Sequence, residues 1–523
     1  MLFNSIEFLL FYLPIVVIVY YYLINRFNSS AHIYFLVISS LIFYGWWNPN
    51  HIFLIIISVL VNYYLSKKII HFKRVYFYKK LFLIFGIIFN LGLLAYFKYM
   101  NFFIENLSYI LDKDFSVFLI ILPLGISFYT FQQIAFLVDT FKQKTNGTKL
   151  HNYFLFVSFF PQLISGPIVH HKEMMFQFIR LKEKSKHLWE NLSLGFTVIT
   201  IGLFKKVVIA EKMANWSDQI FSYSASGGVL TFLEAWIGVL CFSFQIYFDF
   251  SAYSDIAIGL ALLFGIKLPI NFYSPYKATS IIEFWRLWHI TLSRFLKNYL
   301  YIPLGGNKHG NIRRYLNLFL VMLLGGLWHG AGWTFILWGF LHGLFLTLNH
   351  MFRTLIKLLN LKILIHNIFY LWFFRVLTFI LVSLAWVLFR SEDLVSSLSM
   401  YNSLFGLNGF TLPTHYELYF GDFVFYLKLL GINFNTTPNF GGGFQILWII
   451  AMFLLVWFCP NTIEIMSKFK IHIENENFNK YSNFNFIKWR PNSFFSLILS
   501  LVIFFVIIKI FQGREGEFIY FQF

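Results

Sequence analysis

Residues 315–350 read YLNLFLVMLLGGLWHGAGWTFILWGFLHGLFLTLNH, with no Asp, Glu, Lys or Arg among them. About 20 predominantly apolar residues are enough for a helix to cross the ~30 Å hydrocarbon core of a bilayer. The stretch therefore predicts membrane-spanning helix. Comparable apolar runs recur along the whole chain, at roughly 6–25, 31–47, 51–66, 80–100, 115–138, 150–170, 192–213, 229–265, 368–390, 444–460 and 494–511. Together they predict about a dozen crossings, some broken or re-entrant. The run 229–265 is too long for one simple helix and carries Gln245, Asp249, Ser251, Ser254 and Asp255, so a bend inside the protein is expected there.

Composition points the same way. Only 12% of residues are charged and 58% are hydrophobic, with a mean hydropathy of +0.67; soluble chains carry roughly 25% charged residues. A soluble chain of 523 residues would divide into several polar-surfaced domains, and almost no stretch here is polar enough to build one. The fold class is all-α and polytopic. No Gly/Ser or Pro-rich linker and no repeat period interrupts it, so residues 1–511 read as a single membrane domain.

The 41 Lys and Arg outnumber the 23 Asp and Glu, a net charge of +18. Nucleic acid is not the implied partner, because the cations cluster in short loops between apolar spans. That is the positive-inside pattern, with membrane lipid headgroups as the remaining contact. Lys67, Lys68, Lys73, Arg74, Lys79 and Lys80 mark one cytoplasmic loop; Arg353, Lys357 and Lys362 mark another. Lys468, Lys470, Lys480, Lys488 and Arg490 mark a third. The insert 391–443 holds Glu392, Asp393, Glu417 and Asp422 beside Lys428 and reads as external. Met1–Leu10 contains Glu7 and no cation, unlike a cleaved signal peptide, and Arg26 follows the first apolar run. Both the N-terminus and the tail 512–523 are thereby expected outside. Cys241 and Cys459 lie in apolar stretches and suggest neither a disulfide framework nor a metal site.

Ionisable residues at membrane depth are costly, and function is the first hypothesis for them. His329 sits in GGLWHGAGW, residues 325–333, where glycines permit close backbone approach and tryptophans can wall off water. A desolvated, uncharged imidazole suits a general base; a histidine satisfied by neighbouring helices fits the spacing too. His289, in FWRLWH at 284–289, shares a turn with two tryptophans and Arg286. That set could hold an anionic ligand or form an interfacial aromatic belt with a snorkelling arginine. Arg294, Lys297, Lys308, Arg313 and Arg314 follow closely and could attract the phosphates of a nucleotide-containing donor, or simply face the cytoplasm.

Other signals are weak. His170 and His171 are adjacent rather than spaced i, i+4, and lack a nearby acid of the HExxH kind, so no metal is expected. Leu304–Asn307 is no phosphate loop, no GxSxG is present, and His309, His342 and His350 carry no recognisable constellation.

Taken in order, these motifs resemble the membrane-bound O-acyltransferase family, in its bacterial alginate-acetylase-like and peptidoglycan-acetylase-like branch. The likeness starts at MLFNS (1–5), FYLP (11–14) and FYGW (43–46), and runs through LPLGISFYTFQ (122–132) and FFPQLISGPIVHH (159–171). DFSAYSDIAIGLALLFGIKLPINF (249–272) and the two histidine motifs complete it. The resemblance implies a ring of transmembrane and re-entrant helices around a thinned central funnel. It makes His329 the catalytic histidine and His289 the second signature histidine. It implies acetyl-CoA as donor substrate, near Arg286 and Arg294, with no bound cofactor. The ending Phe518–Phe523, FIYFQF, looks like the terminal motif of polysaccharide acetylation and D-alanylation systems. There Tyr520 would relay the acyl group to a periplasmic SGNH-type transferase.

The location implied is a bacterial cytoplasmic (inner) membrane. The abundance of Phe, Ile, Asn and Lys suggests an AT-rich genome and favours peptidoglycan over alginate or another exopolysaccharide as acceptor. Teichoic-acid D-alanyl transfer is less favoured, because its tyrosine motif typically sits on a separate small protein. A lipid-linked sugar transporter, or a scaffold with decayed chemistry, would explain the spans but not the two histidine motifs together with the terminal tyrosine.

Overall fold

The computed structural model describes residues 1–523 except 28–29, 146, 165, 360–366, 438, 474–487, 514–515, 517 and 520–523. Helices dominate the described residues. In chain order they include α1 (Glu7–Arg26), α2 (Ala31–Gly45), α3 (Asn50–His71), α4 (Tyr76–Leu111), α5 (Ile126–Phe141), α6 (His171–Ile179), α7 (Leu181–Ala225) and α8 (Phe232–Leu263). Two short helices, α9 (Ile281–Leu287) and α10 (Ile290–Leu296), precede α11 (Gly310–His329) and α12 (Trp333–Leu358). The chain continues through α13 (Ile368–Arg390), α14 (Leu394–Leu404), α15 (Gly443–Phe458) and α16 (Ser493–Gln512). Among the described residues eight helices are long and apolar enough to cross a membrane, and α2 and α15 are shorter apolar helices. The multi-pass, all-α expectation stands.

Four expected spans differ in form. The run 115–138 is helical only from Ile126, and 150–170 breaks into the short helices Leu150–Ser158 and Phe160–Leu163. The run 315–350 is divided into α11 and α12 by the turn Gly330–Gly332, because His329 ends the first helix and Gly332 starts the second. The run 229–265, where a bend was expected, is one α-helix without interruption. Its most apolar window is entirely buried, whereas only 6% of the corresponding window of α16 is. Protein rather than lipid therefore surrounds α8, although Gln245 Oε1, Ser251 Oγ and Ser254 Oγ have no hydrogen-bond partner among the described residues.

The described residues form two compact units. The first comprises Met1–Val207, Ser251–Asn271 and Asn461–Phe523. Within it, a Cβ on Gly195 of α7 would lie 2.9 Å from the Gly259 carbonyl of α8, and one on Gly259 2.8 Å from the Gly195 carbonyl. Such small-residue crossings let helices associate where lipid supplies no hydrophobic drive. Tyr20 and Tyr21 of α1 donate to the carbonyls of Phe264 and Leu263, satisfying groups a helix end leaves without partners. Asn62 and Asn90 exchange amide hydrogen bonds between α3 and α4.

The second unit comprises Val208–Phe250 and Phe272–Pro460. The Ser243 hydroxyl of α8 reaches the Ser383 hydroxyl of α13 at 3.0 Å, and Arg390 closes α13 on Asp218 at 2.8 Å. The external-reading insert is folded: α14 opens on an Asp393–Ser396 capping box, and Phe410–Pro413 pairs in parallel with Ile432–Asn435.

Candidate active site

All described elements of the site belong to the second unit. It begins where α9 stops. Ser280 caps α9 by accepting from the Glu283 N–H, and the Glu283 carboxylate accepts from the Thr279 N–H and hydroxyl at 2.7 and 2.9 Å. Trp288 then leaves the helix, and His289 takes φ 40°, ψ 54° before α10 starts. For a residue with a side chain the left-handed region costs roughly 1–2 kcal/mol, and such strain gathers at functional sites. The turn drives the His289 ring into the interior, fully buried, 4.7 Å edge-on from Phe250 and 6.3 Å from Trp328.

His329 arrives from the opposite chain direction as the last residue of α11. Its position depends on how closely α11 and α12 pack. A Cβ on Gly326 would stand 2.3 Å from the Phe335 carbonyl, and one on Gly339 2.4 Å from the Met322 carbonyl. No other residue fits there without separating the backbones. The 329 ring is 5% exposed, with Trp328 at 5.0 Å, Trp338 at 5.1 Å and Phe389 at 5.3 Å between ring centroids. Three aromatic faces thus surround one imidazole.

His342, passed over in the sequence, belongs to this cluster. It is fully buried, 4.7 Å from Trp338, and its Nδ1 accepts from the Trp285 indole N–H at 3.2 Å. The missed signal was spacing: 338 and 342 stand i, i+4 on one face of α12. Rings run in sequence from Trp285 through His342, Trp338, His329 and Trp328 to His289.

The structure thus brings His289 and His329 together on either side of Trp328. Arg286 is exposed in the last turn of α9; its charge, with those of Arg314 and Arg353, bears on His350, and Arg314 contacts the His350 Nδ1 at 2.6 Å. Arg294 is half-buried in the last turn of α10. Asn317 donates to the carbonyls of Leu304 and Gly306 and ties the preceding loop to α11. Tyr520 lies outside the described residues. The arrangement offers a buried imidazole able to exchange a proton, with Arg314 and Arg353 at the far ends of α11 and α12 from it, roughly 20 Å along the helices.

A sequence model of the membrane-bound O-acyltransferase family matches residues 42–390, which include both site histidines. The chain is 47% identical over 407 residues to the peptidoglycan O-acetyltransferase of Helicobacter pylori, covering 72% of this chain and 74% of that protein. It is 38% identical over 424 residues to the probable alginate O-acetylase of Pseudomonas aeruginosa, with 79% and 76% covered. A teichoic acid D-alanyltransferase of Streptococcus thermophilus is 28% identical over 240 residues, covering 43% of this chain and 56% of that protein.

Proposed function

Since this chain belongs to the membrane-bound O-acyltransferase family, and is thereby an acyltransferase, we propose that it O-acetylates peptidoglycan from within a bacterial cytoplasmic membrane. Acetyl-CoA on the cytoplasmic side is the donor, and the acceptor chain is external. The observation that carries the chemistry is His329, buried at a helix end inside an aromatic cage. The acceptor rests on the higher identity to a peptidoglycan enzyme than to the alginate ones.

In this reading His329 accepts the proton of an attacking hydroxyl. The new C–O ester bond forms as the thioester C–S bond breaks, and the proton passes from the imidazole to the leaving thiolate. General base catalysis of this kind is worth about 10²–10⁴-fold. The Trp338 indole N–H is buried with no hydrogen-bond partner among the described residues, and serves as donor to the developing oxyanion. Arg286, with Arg314 and Arg353, holds the phosphates of the donor, and Arg294 assists. His289 supports the wall shared through Trp328. Tyr520 is the attacking hydroxyl, and its acetyl ester is passed to a periplasmic SGNH-type transferase.

The test is deletion of the gene, complementation with wild type or His329→Ala, and mass spectrometry of ester-linked acetate on digested peptidoglycan. Acetate should vanish on deletion and return with wild type alone. Full restoration by His329→Ala refutes the general base. Acetylation that deletion never changes refutes the acceptor.

A further inference from the structure

Residues 170 and 171, dismissed in the sequence for want of an acid, acquire one in the first unit. We propose that Asp139, His170 and His171 form a binding site for a divalent first-row transition-metal ion such as zinc. Asp139 stands in the last turn of α5, and the two histidines start α6, His170 as its N-cap and His171 as its first residue. One ligand atom from each lies within 4.8 Å of the others. The His170 Nε2 is 2.5 Å from the Asp139 Oδ2, and the His171 Nδ1 is 3.7 Å from the same oxygen.

His171 supplies the independent observation. Its side chain is 6% exposed, yet neither ring nitrogen has a hydrogen-bond partner among the described residues. Burying a polar group without compensation costs on the order of 1–3 kcal/mol, which a coordinated ion would recover. The ring is held by Phe136, one turn before Asp139, at 5.5 Å.

Two imidazoles and one carboxylate suit zinc and its neighbours, and disfavour calcium and magnesium, which take oxygen sets. Tetrahedral bonds of about 2.0–2.2 Å require shifts of only an ångström or so from the present spacing. The His170 Nδ1 contact to the Lys172 N–H is long, 3.4 Å, and yields as the ring reorients. Lys144, 3.6 Å from Asp139, opposes the ion but is half-exposed and can swing to solvent. His170 is 25% exposed, leaving room for water as fourth ligand. The ion would pin the end of α5 to the start of α6, closing the segment 142–169.

The full chain, carrying a tag free of histidine, would be purified in detergent, stripped with EDTA and given micromolar zinc. Elemental mass spectrometry should find one ion per chain. Zinc at a hundredfold excess over its Kd should raise the folded-to-unfolded ratio about 100-fold, read as a higher melting temperature. His171→Phe, which keeps an aromatic ring and removes the two unpartnered nitrogens, should melt at or above the metal-free wild type and lose the response to zinc; Asp139→Asn should lose it as well. Failure of the wild type to retain zinc, or stoichiometric zinc in His171→Phe, overturns the site.

Discussion

A methyl group at position 326 gives a quantitative test of why His329 sits where it does. In Gly326→Ala the new Cβ would be 2.3 Å from the Phe335 carbonyl oxygen and 3.1 Å from Gly339 Cα. Both neighbours are backbone, so no side chain can rotate away, and α11 and α12 must part by roughly 1 Å to reach ordinary contact. Overpacking of this size typically costs about 1–3 kcal/mol. His329 lies three residues further along α11, so the same shift moves the imidazole against Trp338 and Phe389. A misplacement of about 1 Å can cost on the order of 10²-fold in rate. Gly325→Ala is the control, because its Cβ would meet only the Leu296 side chain, at 3.5 Å. The assay is ester-linked acetate per muropeptide in cells carrying each variant at matched membrane abundance, with detergent melting curves alongside. Gly326→Ala should lose most acetylation while Gly325→Ala keeps it. Equal activity in the two would refute the claim that the close crossing positions the histidine.

Trp338→Phe removes the indole N–H while keeping an aromatic wall, and should lower turnover by about 10²-fold with little change in melting temperature; unchanged turnover removes Trp338 as oxyanion donor. Tyr520→Phe should abolish transfer of label from acetyl-CoA to the chain itself, and labelling that persists there names another acceptor. Asp393→Ala should lower the stability of α14 by about 1 kcal/mol at neutral pH. The Ser396 N–H holds the Asp393 carboxyl below its ordinary value. The cap therefore contributes above the unfolded value of about 3.9 and is lost as pH falls through the lower folded one, so the two melting curves should converge in acid.

Much of the architecture is legible in the sequence because lipid imposes a length and a polarity on every crossing. The spans near 6–25, 51–66, 368–390 and 494–511 all reappear as helices. The break at 330–332 was harder to read, since Gly-Ala-Gly inside an apolar run fits either a tight helix crossing or a turn. The unbroken α8 was misread for another reason: its polar residues argued for a bend, and only the fold shows that they are buried within protein along an uninterrupted helix. His289 and His329 stood out as ionisable groups among tryptophans. His342 did not, because its role depends on Trp285, a residue 57 positions away that donates to it. Asp139 was out of reach for the same reason, 31 residues before His170.

The complete burial of α8 also constrains how the chain is made. An aspartate near the centre of a helix opposes insertion from the translocon by about 2.5–3.5 kcal/mol, and α8 carries two, Asp249 and Asp255. Released singly into lipid, such a segment would be held back. Its Asp255 pairs at 2.7 Å with Lys205 on α7, which is synthesised earlier, and Thr462 adds a hydroxyl only some two hundred residues later. During biogenesis α7 would therefore wait at the lateral gate for α8, and the two would leave it together with Asp255 already paired.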